Sequence, residues 1–332
     1  MDKLMDRLAV FTLQGLGNAI LALPILELLK DTFKLKLYLM NNGSQIIYKY
    51  LNYETVVFSG NFDIITRKLD ASNLAIALYP NWKRELIALM KCKASQKISF
   101  VDSQYKYSYV IYSQKIVKKN IHDIENNFKI FDILGIKKNF PDLAKLFFEK
   151  EKKTVSIHPT ASSVYKFYNK TFWVEIINYL IKKKELRICI FSKDNETERQ
   201  FCEEIIESIK DQDYISYHAG ESLIDVSHKI ANSSLFIGLD SSLMHIAALL
   251  DIYTIGLWSF ANYTRIYPYG NNCHVYIPKE ALVLRDDTYP KTRLPWLDRA
   301  ISHDILDIIE LSKKENFCIE PEFKRKVRFY IY

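Results

Sequence analysis

The sequence predicts an α/β protein with a parallel sheet in each half of the chain. Short apolar runs of strand length alternate with helical segments from Leu8 onward, and the same alternation starts again at Val155. The charged segment from Lys137 to Lys153, which contains Pro141, separates the two series and predicts a linker. In the stretch from Ala231 to Leu257, a strand, a turn, a helix and a second strand follow one another directly. Alternation of this kind favours doubly wound parallel sheets.

The composition indicates a globular protein without a disulfide or metal scaffold. The chain has 332 residues, of which 48% are hydrophobic and 26% charged, and its formal net charge is +7. This length is enough for two domains, and the positive charge favours a polyanion or an anionic membrane surface as a partner. The 5 cysteines lack CxxC or mixed Cys/His spacing, which argues against zinc and disulfides and fits a reducing cytoplasm. No apolar run has membrane-spanning length and no signal-peptide core is visible, so membrane contact is expected to be peripheral.

The predicted elements follow in order along both halves. In the first half, we predict strands at 8–13, 35–40, 56–58 and 74–78, and helices at 19–29, 82–90 and 124–134. In the second half, we predict strands at 155–157, 186–191, 214–216, 235–237 and 253–257. Helices are predicted there at 171–182, 196–209, 223–232, from residue 243 onward, and at 297–313.

The turn after the strand at 235–237 is the strongest candidate for a ligand site. Asp240, Ser241 and Ser242 supply the N-cap chemistry of the next helix. A helix N-terminus at the carboxyl edge of a parallel sheet presents unpaired backbone N–H groups and favours an anion, typically a phosphate. His245, one turn into this helix, either packs in the core or reaches the bound anion, and both interpretations stay open.

A polar loop in the same half follows the strand at 155–157. The segment from His158 to Ser163, with the sequence HPTASS, gathers hydroxyl groups and backbone donors, and Lys166 follows within reach of a phosphate. On its own, such a segment is an ordinary polar loop. Together with the turn from Asp240 to Ser242, it predicts a cradle for a diphosphate.

Gly15 and Gly17 follow the first strand, but they do not predict a dinucleotide-binding dehydrogenase. Ile20 stands where that fingerprint needs a small third residue, and the second strand ends in Asn41 and Asn42 where an acidic residue would hold a ribose. We favour a tight turn that lets a ligand approach the backbone, and a purely structural turn is the alternative.

Basic and aromatic residues cluster after the strand at 74–78. Trp82, Lys83 and Arg84 begin this cluster, and further lysines continue it as far as Lys97. A solvated helix face is the default interpretation of such a run, and a patch for an anionic acceptor or a lipid headgroup is the functional one. No recognised nucleic-acid-binding module accompanies the charge, so no nucleic-acid partner is predicted.

Four segments occur in the order of a known protein family. The segment from Gly15 to Pro24, GLGNAILALP, is similar to the family's opening loop and helix, and residues 81–87 with 97–100 resemble its basic acceptor-side helix and the following strand. The segment from Ile157 to Pro159, followed by Lys166 and by Phe-Trp at 172–173, is similar to the start of its donor half. Residues 238–245, GLDSSLMH, look like its most specific signature, a D-[ST]-[GS]-x-x-H turn. In these segments the chain resembles glycosyltransferase family 9, the bacterial lipopolysaccharide heptosyltransferases.

The resemblance implies an α/β protein of the glycosyltransferase-B fold, with two Rossmann-like domains facing across a cleft. Residues 1–150 would bind the acceptor and residues 151–300 the donor, and residues 301–332 would form a helix crossing back to the first domain and a basic-aromatic tail. It implies inverting transfer of heptose or a related sugar from a nucleotide-diphosphate donor, by family default ADP-heptose, to a lipopolysaccharide core or another surface glycan. No cofactor or metal is expected, because a lysine and helix N–H groups can stabilise the departing diphosphate.

The resemblance also assigns residues to each substrate. Lys166 would neutralise the diphosphate, and Glu196 would hold the ribose or the sugar. The donor side would comprise Thr160, Ser162, Ser163, Lys166, Glu196, Asp240, Ser241, Ser242 and His245. The acceptor side would comprise Gly15, Gly17, Trp82, Lys83, Arg84 and Lys97. It would receive an anionic glycolipid or oligosaccharide at the cytoplasmic surface of the inner membrane, to which the protein would be peripherally bound.

One position departs from the family pattern. Asn18 stands where the family has its catalytic aspartate, and an amide cannot accept a proton at neutral pH. Either another acid serves as the base, for which Asp102 is the candidate, or Asn18 only orients the acceptor. The alternative is a catalytically silent binding or partner protein of the same fold, and a sugar-nucleotide epimerase is a third possibility.

Overall fold

Each half of the chain folds around its own parallel sheet, and the division between the two units falls between Pro141 and Asp142. The computed structural model describes residues 6–12, 15–39, 42–58, 72–78, 82–101, 113–117, 119, 121–137, 139–143, 154–184, 186–259, 263–283, 292, 294–300, 302–314 and 326–331. The division lies within the predicted linker at 137–153, shortly before the predicted domain boundary at residue 150.

In the first unit, the described strands form a six-stranded sheet in the order β3-β2-β1-β4-β5-β6, and all the pairs are parallel. The strands are β1 (Arg7–Thr12), β2 (Lys34–Leu39), β3 (Glu54–Val57), β4 (Leu74–Ala77), β5 (Gln96–Val101) and β6 (Gln114–Val117). The helices are α1 (Leu16–Lys30), α2 (Asn42–Tyr50), α3 (Trp82–Lys91) and α4 (Asp123–Leu134). Successive residues of β1 from Leu8 to Phe11 are fully buried, because a central strand of a parallel sheet is covered on both faces.

In the second unit, the described strands form a seven-stranded parallel sheet in the order β13-β12-β11-β10-β7-β8-β9. The strands are β7 (Thr154–His158), β8 (Arg187–Ser192), β9 (Ile215–Ala219), β10 (Ser233–Leu239), β11 (Tyr253–Leu257), β12 (Asn272–Ile277) and β13 (Lys326–Ile331). The helices are α5 (Lys170–Lys184), α6 (Glu196–Glu207), α7 (Leu223–Ala231), α8 (Ser242–Leu249), α9 (Tyr263–Ile266), α10 (Pro295–Arg299) and α11 (His303–Lys314). Short 3-10 turns occur at Val164–Lys166, Gln212–Tyr214 and Lys279–Val283.

The strand order of the second unit reverses beside β7. The chain adds β8 and β9 on one side of β7 and then returns to place β10 on the other side. At such a switch point, the loops after two neighbouring strands lead to opposite sides of the sheet and leave a crevice at the carboxyl ends, which is where open α/β sheets bind ligands. The loop after β7 and the turn after β10 therefore border the expected ligand position, and both were predicted to do so.

The core of the second unit packs α5 and α11 against the sheet. Phe172 and Trp173 of α5 are buried in the same apolar cluster as Ile157 of β7 and Ile237 of β10. Asn169, just before α5, accepts a hydrogen bond from the backbone N–H of Phe172 at 2.8 Å and so caps the helix. Its side-chain amide also donates to the carbonyl groups of residues 297, 298 and 300, which fixes α10 against the start of α5.

The C-terminal region belongs to the second unit. Ile305, Ile308 and Ile309 of α11 lie in that unit's core cluster, and α11 packs on α5. The predicted crossing of this helix to the first domain stays a prediction. In the predicted basic-aromatic tail, Lys326–Ile331 forms β13, an edge strand that pairs in parallel with β12. Lys326 and Arg328 alternate there with Val327 and Phe329, which is the two-residue period of a strand.

Helix lengths bear on possible membrane contact. Within the described residues, no helix combines the length and the apolar character that crossing a bilayer requires.

Candidate functional site

The turn between β10 and α8 lies where the sequence predicts it, between a buried strand and an apolar helix. Gly238 is required near the end of β10, because a Cβ there would lie 2.8 Å from the ring of Phe236 and 3.1 Å from the carbonyl oxygen of His158. The backbone N–H of Asp240 donates to the carbonyl oxygen of Leu257 at 3.2 Å, which ties the turn to the end of β11. The turn is therefore held by its neighbours on both sides of the sheet centre.

A buried ion pair joins this turn to the loop after β7. The Nζ atom of Lys166 donates to Oδ2 of Asp240 at 2.8 Å and to the carbonyl oxygen of the same residue at 3.3 Å. The two side chains are only 6% and 7% exposed. A buried pair of this kind needs good geometry to offset the desolvation of both charges. Asp240 thus positions the ammonium group of Lys166. Its own carboxylate can only accept hydrogen bonds, so it does not itself bind an anion.

Ser241 is the N-cap residue of α8, yet its side chain does not cap the helix. It makes no hydrogen bond to the first backbone N–H groups, and its Oγ atom lies 3.0 Å from Nδ1 of His158 instead. The first N–H groups of an α-helix have no intrahelical acceptor and carry the positive end of the helix dipole. Because the serine faces the histidine, these groups are left to an external acceptor, as an anion site requires.

A chain of polar contacts continues from His158 to a buried carboxylate. Oγ1 of Thr160 lies 3.4 Å from Nε2 of His158 and donates to Oε2 of Glu198 at 2.6 Å. Glu198 also accepts from the backbone N–H of Lys193 at 3.1 Å and from the amide of Asn195 at 2.9 Å. Burial raises the pKa of Glu198, but these hydrogen bonds and the nearby His158 lower it more, so its net pKa lies below the usual range.

Both histidines of the site are buried and neutral. Burial lowers the pKa of His158 to about 4, against the opposing field of Glu198. Burial also lowers the pKa of His245 to about 4; the Asp240 carboxylate opposes this shift and the Lys166 ammonium adds to it. His245 is 4% exposed, and its Nδ1 atom has no hydrogen-bond partner among the described residues. Of the two interpretations of His245, packing and anion contact, the structure thus leaves a polar atom available for the second.

The other predicted donor residues lie at the margin of this site. Ser162 is exposed, and Ser163 accepts from the backbone N–H of Tyr165 at 3.3 Å, where it starts the 3-10 turn that carries Lys166. Ser242 is the half-buried first residue of α8. Glu196, the predicted ribose or sugar ligand, is exposed at the start of α6 and makes none of the contacts that Glu198 makes.

Glu198 is the site residue that sequence reasoning missed. Asn195 accepts from the backbone N–H of Glu198 at 2.9 Å and donates back to its carboxylate. This reciprocal contact resembles a capping box, whose sequence sign is an N-cap residue followed three positions later by Glu or Gln. The spacing of Asn195 and Glu198 could have identified Glu198 as the acid held inward, although not as the partner of Thr160.

The predicted acceptor residues lie in the first unit. Gly15 is the exposed N-cap of α1, Gly17 and Asn18 are half-buried in its first turn, and the backbone N–H of Lys97 in β5 donates to Ser113 at 2.7 Å. Trp82, Lys83 and Arg84 begin α3, and their side chains lie outside the described part of the structure. Asp102, the candidate base, is outside the described residues altogether.

In the portion of the chain that the structure describes, no group of three or more His, Cys, Asp or Glu side chains is placed to hold a metal ion. The polar centre of the second unit comprises the Lys166–Asp240 ion pair, the N-terminus of α8, the two histidines and the Thr160–Glu198 pair.

Removal of Lys166 alone should destabilise the protein far more than removal of both charges. In Lys166→Met, the carboxylate of Asp240 would be buried without its cation, at a cost of about 3–5 kcal/mol. The double variant Lys166→Met/Asp240→Asn should recover a large part of this loss, because no unpaired charge remains. Urea unfolding followed by circular dichroism measures both values. Equal stabilities for the single and the double variant would contradict the assignment of a buried ion pair.

Comparisons with known proteins identify the family of the chain. The sequence profile of glycosyltransferase family 9 (heptosyltransferase) matches residues 65–282. Lipooligosaccharide heptosyltransferase 2 of Campylobacter jejuni subsp. jejuni serotype O:2 is 23% identical over 276 residues, which cover 77% of this chain and 82% of the relative.

Solved structures extend the likeness to the fold. The Escherichia coli heptosyltransferase WaaC with ADP superposes with a TM-score of 0.75 at 16% identity, covering 92% of this chain and 99% of that one. The Escherichia coli ADP-heptose lipopolysaccharide heptosyltransferase II gives a TM-score of 0.71 at 12% identity over 93% and 98% of the two chains. The chain therefore has the glycosyltransferase-B fold of these enzymes. Since the family profile covers most of its length, the chain belongs to glycosyltransferase family 9, the heptosyltransferases.

Proposed function

We propose that this glycosyltransferase transfers heptose, or a closely related sugar, with inversion from a nucleotide-diphosphate donor to a lipopolysaccharide core or a related surface glycan. ADP-heptose is the proposed donor. The names of the relatives support this choice, since they are lipooligosaccharide and ADP-heptose lipopolysaccharide heptosyltransferases. The observation that carries the proposal is the uncapped N-terminus of α8 beside the ammonium group of Lys166.

These groups suit the charge of a departing diphosphate. In an inverting transfer, an acceptor hydroxyl attacks the anomeric carbon while the bond to the diphosphate oxygen breaks, and the diphosphate leaves with the electron pair. The developing charge needs fixed donors already in place. In our proposal, the first N–H groups of α8 and the ammonium of Lys166 supply them, so that the donor is the substrate and no further cofactor is needed. Asp240 holds the lysine in position, and the Nδ1 atom of His245 adds a further polar contact.

Donor binding is the first test of this proposal. We expect ADP and ADP-heptose to bind, and Lys166→Ala to weaken both by about 10- to 100-fold, because a charge-assisted contact to the diphosphate is lost. Adenosine, which has no diphosphate, should bind both proteins alike. Isothermal titration calorimetry measures these affinities, and transfer to a heptose-deficient lipopolysaccharide acceptor tests the reaction itself.

Lys170→Ala is the matched control for this experiment. Lys170 is exposed, lies four positions further along the chain and pairs only loosely with Glu204 at 3.8 Å. It should bind both nucleotides like the unchanged protein, and circular dichroism should show that both variants are folded. An unchanged diphosphate affinity in a folded Lys166→Ala would remove this lysine from the donor site.

The proposed reaction also needs a general base for the acceptor hydroxyl. The amide of Asn18 cannot take the proton, so we propose Asp102 as the base and Asn18 as a residue that orients the acceptor. Asp102→Asn should then lower kcat by about 10²- to 10⁴-fold with donor affinity unchanged, which is the usual contribution of a general base. The exposed Asp31, at the end of α1, offers the control Asp31→Asn, which should keep full activity.

Single-turnover rates measured with saturating donor would decide this point. Full activity of Asp102→Asn would exclude Asp102. A large gain of activity in Asn18→Asp would show that the family's position can still act as the base in this chain.

We further propose that the first unit meets its glycolipid acceptor at an anionic membrane surface through the last turn of α3. Ile87 and Met90 are 38% and 59% exposed there, and Lys91 and Lys93 beside them are exposed as well. Residues three apart lie on one helix face. Apolar side chains beside lysines suit the boundary between lipid headgroups and acyl chains. The basic residues Lys83 and Arg84 begin the same helix.

Replacement of both apolar residues should weaken the binding of the protein to anionic vesicles. Ile87→Ser/Met90→Ser should lower binding to phosphatidylglycerol vesicles by about tenfold. Each of the two side chains would bury only part of its apolar surface in lipid, and together they would bury about as much as one fully inserted side chain. Val117→Ser is the control, since Val117 is 66% exposed but belongs to β6 and not to α3. Vesicle sedimentation measures the binding. Equal binding of the double variant and the control would contradict this docking surface.

A further inference from the structure

The contacts between Ser241 and Glu198 have a direction that follows from counting hydrogens. An ionised carboxylate only accepts hydrogen bonds, and a threonine hydroxyl has a single hydrogen to donate. The hydroxyl of Thr160 donates that hydrogen to Glu198 at 2.6 Å. The contact of 3.4 Å between Thr160 and Nε2 of His158 is therefore a hydrogen bond only when Nε2 carries the hydrogen.

The direction of the last contact follows from the neutral state of His158. A neutral imidazole carries one hydrogen, so a protonated Nε2 leaves Nδ1 as an acceptor. The contact of 3.0 Å between Nδ1 and Oγ of Ser241 is then a bond that Ser241 donates. The series of hydrogen bonds runs from Ser241 through His158 and Thr160 to Glu198. In each bond the hydrogen points toward the carboxylate.

This direction conflicts with anion binding at the N-cap of α8. The oxygens of a diphosphate diester are acceptors, and the only hydrogen of Ser241 is turned away from them toward His158. An anion near this N-cap would meet the lone pairs of Ser241. If the serine turned its hydrogen to the anion, Nδ1 of His158 would lose its donor within a buried site, and an unpaired buried polar atom is costly. A shift of the ring hydrogen from Nε2 to Nδ1 would leave Nε2 facing the Thr160 hydroxyl without a hydrogen between them, because that hydroxyl donates to Glu198. One proton added at Nδ1, with Nε2 still protonated, satisfies both ring nitrogens.

We propose that His158 is a positioning residue that takes up one proton when the donor diphosphate binds. The proton comes from solvent and forms an N–H bond at Nδ1, which then donates to Ser241, and the hydroxyl of Ser241 turns to donate to a diphosphate oxygen. Nε2 keeps its hydrogen and its bond to Thr160. This inference rests on the proposed function, because it requires the donor diphosphate at the turn between β10 and α8.

The charges around His158 determine when this proton can be held. Burial disfavours the protonated ring most; the Glu198 carboxylate of α6 favours it, and Lys193 in the loop after β8 disfavours it. The ion pair between Lys166, in the loop after β7, and Asp240, in the turn after β10, contributes charges of both signs. In the free protein the balance leaves the pKa of His158 at about 4, and a bound diphosphate adds negative charge that raises it.

The sign of the pH dependence follows from this change. A ligand that raises the pKa of a group from its free value binds with proton uptake at every pH between the two values. Across that window, which begins at about pH 4, donor affinity should therefore increase as the pH falls. Below the free pKa the ring is already protonated, and the dependence disappears.

Calorimetry of ADP-heptose binding tests this inference directly. ADP-heptose is the suitable probe because its diphosphate is esterified at both ends and does not titrate in this range, unlike the terminal phosphate of ADP. Titrations in two buffers with different ionisation enthalpies, from about pH 5 to about pH 8, give the number of protons taken up. We expect an uptake that approaches one proton per donor toward the acidic end of the range.

Two variants separate a proton-linked role from a structural one. In His158→Asn, the amide group can donate to Ser241 without titrating, so donor binding should persist, proton uptake should vanish and the pH dependence should flatten. Ser241→Ala should also abolish uptake and should weaken binding. His303→Asn is the control, because His303 is 78% exposed on α11, and it should leave the uptake unchanged.

The outcomes distinguish this inference from the function on which it rests. Binding of ADP-heptose without proton uptake would overturn the role of His158 and leave the proposed donor intact. Uptake that persists in a folded His158→Asn or Ser241→Ala would overturn it as well, since another group would then take the proton. No binding of ADP-heptose at any pH would overturn the proposed donor and this inference together.

Discussion

The ion pair between Lys166 and Asp240 is the interaction on which the polar centre of the second unit depends. It joins a loop after β7 to a turn after β10, across the point where the strand order reverses. Because both side chains are buried, neither charge can be removed without leaving the other unpaired in a medium of low polarity. The pair therefore fixes an ammonium group at the N-terminus of α8, and it does so before any ligand arrives.

The same centre illustrates how a helix N-terminus can be kept available in a folded protein. Polar N-cap side chains normally satisfy the first N–H groups of a helix. Here the N-cap serine is bound by His158, and His158 is held in turn through Thr160 by Glu198. The stabilisation that capping would give α8 is forgone, and the helix is stabilised instead by the burial of nearly all its residues. An uncapped helix N-terminus whose neighbours are held by hydrogen bonds is suited to an anion, because its N–H donors are already in place and need no rearrangement.

The sequence was most informative where local chemistry decides the structure. Apolar runs of strand length predicted β1 to β4 and β7 to β11, whereas β6 and β12 were missed. The residue types around Lys166 and Asp240 indicated that the loop after β7 and the turn after β10 come together, because such turns use a small set of residues. It was least informative where contacts connect distant segments. The spacing of Asn195 and Glu198 indicates which acid is held inward, but the contact of Glu198 with Thr160 joins residues 38 positions apart and has no local signal. The strand character of Lys326–Ile331 was missed for a similar reason, since an edge strand with basic residues depends on its neighbour β12 for its pairing.

The pairing of β7 with β10 has a consequence for the folding of the chain. Lys166 and Asp240 are separated by 74 positions, and His158 and Ser241 by 83. Contacts of such long range require the closure of a large loop before they contribute any stability, and this closure slows folding. The individual βα segments can form early from local contacts, but none of them contains both sides of the site. The two sides of the proposed donor site therefore come together late in folding, when two separately formed segments meet at the centre of the sheet.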